Sequence, residues 1–132
     1  DYGDNFVYDE MMLTGPGEKG EAMAKMVAED KSMANDPMQP GEGPSKEERE
    51  TGHYDVLFAG SSANGDSLMA SVKGDKDPGY GSTCKMISES AVCLLKNPDA
   101  ASGGIWTPAS ALGELLIDRL QENAGLSFQL EG

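Results

Sequence analysis

The stretch Gly52–Gly74, GHYDVLFAG-SSANG-DSLMASVKG, decides the fold. Two runs rich in β-branched and apolar residues flank a polar segment whose Asn64-Gly65 step favours the positive φ angles of tight hairpin turns, so the stretch reads as a β-hairpin. Downstream of Gly74 the grammar is helical. Asp77-Pro78 looks like an N-cap followed by a proline in the first turn. Tyr80, Cys84, Ile87, Ala91 and Leu94 recur at helical spacing as the expected buried stripe of a helix ending near Lys96 or Asn97. After Gly103-Gly104, Thr107-Pro108 repeats the cap-then-proline pattern. Leu112, Leu115, Leu116 and Leu120 line the next helix, Gly125 is placed to end it, and Leu126–Leu130 (LSFQL) alternates like a strand.

Upstream, Phe6–Leu13 (FVYDEMML) has the character of a strand, and Glu18–Met33 reads as an amphipathic helix with a methionine-rich face. Ala34–Pro44 holds three prolines and two glycines and reads as a loop, ending where Ser45-x-x-Glu48 offers a capping box for a short polar helix. The expected order is β-α-loop-β-β-α-α-β. This is an α+β chain, with a mixed or antiparallel sheet and helices packed on one face. It is expected to be one domain fragment over residues 1–132: a strand and helix in 1–39, a Pro/Gly-rich connector in 40–51, and the α+β core in 52–132.

Charge narrows the partners. With 23 acidic residues against 10 basic, the formal net charge is -13. Nucleic acid and anionic lipid are bound through Lys and Arg clusters, so neither is expected as a partner. No apolar run approaches the ~20 residues that span a bilayer, and no segment reads as a secretory signal peptide. Cys84 and Cys93 lie nine residues apart on one predicted helix, roughly 13 Å along its axis and about 180° around it. They are too far apart to pair, and reduced thiols fit a cytoplasmic location.

Few motifs carry chemistry. Gly15-Pro16-Gly17-Glu18-Lys19-Gly20 matches G-x-G-x-x-G, but Asp9 and Glu10 interrupt the preceding strand and a Pro/Gly loop stands where a second strand with an acidic residue should be. It reads as a loop, and no cofactor is expected on this chain. His53 is the single histidine, and no Cys or carboxylate cluster has ligand spacing, so no metal site is expected. The segment VKGDKDPGYGSTCKM is denser in unusual residues than any other. Tyr80, Ser82, Thr83 and Lys85 gather at a helix start, where free amides suit an anionic or carbonyl-bearing ligand. A structural strand-to-helix turn accounts for the same residues, and both readings stand. Trp106 and Thr107, an aromatic before a capped helix start, form the second candidate site. No residue stands out as catalytic.

Three stretches, PGEGPSKEERETG at Pro40–Gly52, VKGDKDPGYGSTCKMISESAVCLL at Val72–Leu95 and GGIWTPASALGELLIDRL at Gly103–Leu120, together resemble the carboxy-terminal region of the saccharopine-dehydrogenase-like oxidoreductases. That broad group also contains trans-acting enoyl reductases. The resemblance implies the second, α+β domain of an NAD- or NADP-dependent enzyme, helping to hold substrate and to form a homodimer. Its partner would be an amino-terminal Rossmann domain of the same parent chain, absent here, and the fragment alone would be inactive. The alternative is a stand-alone acidic binding or assembly module without catalysis.

Overall fold

In the computed structural model, residues 4–32 and 41–131 are described, and they fall into two units divided between Gly41 and Glu42. In the first unit Phe6–Leu13 has no regular secondary structure, against the expected strand. A strand is held by the ladder of a neighbour, and none pairs with this one in the described residues. Helix α1 spans Gly17–Glu29. It therefore stops short of the predicted end at Met33, a residue outside those described. Gly15 and Gly17 have φ of 88° and 70°, and a Cβ on Gly20 would run into the carbonyl of Gly15. The glycine spacing thus has a local steric cause, a tight turn closing onto the first turn of a helix.

The second unit begins with helix α2 (Lys46–Thr51), whose start carries the predicted capping box. Glu48 N donates to Ser45 Oγ, and Ser45 N donates to Glu48 Oε2. The strands β1 (Tyr54–Ser61) and β2 (Ser67–Gly74) then pair antiparallel, with Val56 opposite Val72 and Phe58 opposite Ala70. The connection is longer than a two-residue turn. Gly65 N donates to Ser62 O, and only Gly65 takes a positive φ, so Asn64 stays in ordinary backbone space. Helix α3 covers Gly81–Lys96, α4 covers Pro108–Asn123, and β3 (Leu126–Glu131) pairs antiparallel with β2. The result is α+β, a three-stranded sheet in the order β1-β2-β3 with four helices in the described residues.

Side chains that pair across the strands share a face. One face, from Tyr54, Val56 and Phe58 through Leu68, Ala70 and Val72 to Leu126, Phe128 and Leu130, carries no charge. Its Val72, Leu126 and Phe128 end packs into the core with Cys93, Leu112, Leu116, Leu120 and Ala124. Phe58, Leu68 and Leu130 at the far end are exposed, as is Val56 on the edge strand opposite Val72. The stripe predicted on α3 is corrected: Tyr80, Cys84, Ile87 and Leu94 are exposed, while Ser82 and Cys93 are fully buried. The helix meets the core through Cys93 and the partly buried Met86, and Ile87 and Leu94 stay exposed. On α4, Leu112, Leu116 and Leu120 are buried as expected and Leu115 is exposed.

Two glycines shape the last helix and its exit. Gly113, at φ 50° and ψ -130°, kinks α4 inside its length, a conformation that a Cβ disfavours. Gly125, at φ 73°, turns the chain from α4 into β3, as expected from sequence.

Candidate functional site

The first candidate, the turn from Gly74 to Lys85, is organised by one carboxylate. Asp77 Oδ1 accepts from Gly79 N at 2.9 Å, and its Oδ2 accepts from Tyr80 N at 3.0 Å and Gly81 N at 2.5 Å. Its carbonyl accepts from Ser82 N at 2.8 Å. The Gly81 amide, with those of Tyr80 and Gly79 and the guanidinium of Arg49, holds the Asp77 carboxyl below its usual range against a smaller desolvation that raises it. Asp77 was expected to be the N-cap. Instead the cap position is Tyr80 and α3 starts at Gly81, because Asp77 folds a separate turn ahead of the helix. The amides expected to receive a ligand are engaged by the chain itself.

Each predicted polar contact points elsewhere. Ser82 is fully buried, its hydroxyl 2.8 Å from the Tyr54 hydroxyl. Thr83 Oγ1 donates to Pro78 O at 2.6 Å. Lys85 Nζ reaches Asp75 Oδ1 at 3.3 Å and the carbonyl of Ala124 at 3.2 Å, so its charge sits at the carboxy-terminal end of α4, where the helix dipole favours a cation. Tyr80 is 45% exposed, and its ring lies against Gly43, where an added Cβ would stand 3.1 Å from Cζ. These four side chains do not converge on one open point. Ser82 ties α3 to β1 and Lys85 ties it to the end of α4, with the Tyr80 ring turned partly to solvent.

The second candidate presents a concave surface. Trp106 Nε1 donates to Ser102 O at 2.9 Å, which folds the loop between α3 and α4 and sets the indole as the wall of a cleft of about 280 Å³. Leu94 from α3, Ala101 from the loop, and Pro108, Ala111 and Leu112 from α4 complete it. Thr107 stands beside it, its Oγ1 2.7 Å from Ser110 Oγ, while its carbonyl accepts from Ala111 N. Thr107 therefore caps α4 through its backbone and not through its side chain. Sequence reasoning found Trp106 but missed Leu94, which it had assigned to the core, and Ala101 and Ala111, whose small size gives no signal.

His53 is exposed beside β1, Cys84 and Cys93 are free thiols, and no group of three His, Cys, Asp or Glu side chains among the described residues could hold a metal ion. No helix among the described residues is long and apolar enough to cross a membrane.

No family model and no solved structure matches the chain. Curated proteins do. A Mycobacterium tuberculosis protein provisionally named a trans-acting enoyl reductase is 37% identical over 93 residues, 69% of this chain and 22% of its own length. The trans-acting enoyl reductase of Mycobacterium ulcerans is 35% identical over 86 residues, 64% of this chain and 20% of its own. That of Mycobacterium bovis strain BCG is 33% identical over 84 residues, covering 62% and 20%. The chain spans about a fifth of the length of these relatives, and over roughly two thirds of its own length it is similar to one part of proteins named as oxidoreductases.

Proposed function

We propose that this chain is the carboxy-terminal, substrate-side and dimerisation portion of an NAD- or NADP-dependent oxidoreductase of the saccharopine-dehydrogenase-like group, acting on an enoyl group. The observation that carries it is the 93-residue likeness to a protein named for that reaction, close in length to the whole second unit. The three stretches that resemble the family fall across α2, the β2-to-α3 turn and α4, the elements that build both candidate sites. In the parent, an amino-terminal Rossmann domain would supply the nicotinamide. When bound, the nicotinamide would supply a hydride to one carbon of the C=C bond, and with a proton added to the other the products would be the saturated acyl group and NAD(P)+. Here the chain's part is to hold the acyl group and to pair two copies. An uncharged sheet face suits that pairing, because two chains of charge -13 can bring it together without opposing carboxylates. A cytoplasmic setting agrees with nicotinamide chemistry and two free thiols.

The test compares lengths. A longer polypeptide that includes the amino-terminal domain should oxidise NADH or NADPH when given a straight-chain trans-2-enoyl thioester, and the 132-residue chain should neither do so nor bind either nucleotide. Absence of turnover by the longer protein with both nucleotides would reject the reading. The other reading, a non-catalytic acidic binding module, draws on the Gly74–Lys85 turn, whose polar groups are engaged within the fold. It is favoured if the longer protein has no nicotinamide site.

A further inference from the structure

The geometry points to the α3–α4 cleft as a binding site for the alkyl part of an acyl chain; this rests on the enoyl-reductase reading and names the part of the substrate that this portion holds. A quarter of the residues of this protein are charged, yet none lines the cleft. Two of the polar groups at its wall are engaged within the fold: Trp106 Nε1 donates to Ser102 O, and Ser90 Oγ donates to Met86 O at 2.8 Å. A charged ligand would lose water there and gain no counter-charge from the wall. An alkyl chain loses nothing by leaving water and gains the faces of Leu94, Trp106, Pro108 and Ala111. At about 280 Å³, and open to solvent beside the loop, the cleft is at the small end of ligand pockets and suits a slender chain better than a folded peptide.

The chain carries its own reporter, since Trp106 is its only tryptophan. Titrating the 132-residue protein with neutral N-acetylcysteamine thioesters of straight-chain saturated acids should change its indole fluorescence saturably. Affinity should rise about fourfold per added methylene until the cleft is filled, the ratio expected for burying one such group. Leu94→Asp should weaken binding at least tenfold. Leu95→Asp, one residue along α3 at an 82% exposed position that does not line the cleft, should leave it unchanged. A flat response, no dependence on chain length, or equal loss in both variants overturns the site. So does a fluorescence change that follows protein concentration instead of ligand, which would mean a second copy covers the cleft. Turnover by the longer protein is read separately: binding without turnover rejects the enzyme reading and keeps the cleft, and turnover without cleft binding does the reverse.

Discussion

At the scale of single residues, Asp77 and Gly113 make opposite demands on the chain. The depressed carboxyl of Asp77 adds stability that is fully present above the ordinary carboxylate range and is lost as pH falls through its lowered value. Asp77→Asn should remove that part of the acid dependence. Asp77→Ala should lower Tm by a few degrees at neutral pH, read by calorimetry in parallel with the wild type. Gly113→Ala tests the kink: at φ 50° a side chain costs about 1–2 kcal/mol, whereas in a straight helix alanine would gain about 1 kcal/mol over glycine. Denaturant unfolding distinguishes the two by sign. The hinge at Gly113 was not legible, because glycine in a leucine-rich helical pattern gives no sign of which torsion it adopts. The role of Asp77 was half legible. An Asp-Pro pair announces a turn at a helix start, but whether the carboxylate caps the helix or a turn before it depends on where the neighbouring backbone falls.

At the scale of elements, periodicity located the helices and the hairpin but misassigned a face. The buried residues of α3 are Cys93, packed with the leucines of α4, and Ser82, held by the Tyr54 hydroxyl, both too small to register as an apolar stripe, while the exposed Ile87 and Leu94 do register. The stripe therefore marked a surface available to something else. Leu94 serves as a cleft wall for that reason. Phe6–Leu13 misled for a related cause, since strand-forming residues without a neighbouring ladder remain irregular. The two helices are joined by the ion pair between Glu89 and Arg119, both under a fifth exposed. Breaking it with Glu89→Gln should cost about 1–3 kcal/mol, more than an exposed pair and less than a fully buried one. Urea midpoints of the single and double variants measure it, and simple additivity of Glu89→Gln with Arg119→Gln would show that the pair contributes nothing. The turn at Gly79–Lys85 was found from composition, but composition could not show that Ser82, Thr83 and Lys85 are engaged by other parts of the fold.

At the scale of the whole molecule, the proposed pairing would bring together the uncharged sheet faces of two chains that each carry a charge of -13. Light scattering should show a dimer that strengthens with added salt, as screening relieves the repulsion between copies. Phe58→Asp should dissociate it, and Leu57→Asp, on the opposite face by register, should not. A monomer at every concentration and ionic strength would remove the pairing. The strand order adds one more consequence. Because β1 stands at the edge, every second amide along Tyr54–Ser61 points away from β2. Deuterium should enter those positions quickly and the intervening ones slowly, an alternation along eight residues. If a longer polypeptide lays another strand beside β1, that alternation should be lost there, and the newly protected amides would mark where the sheet continues.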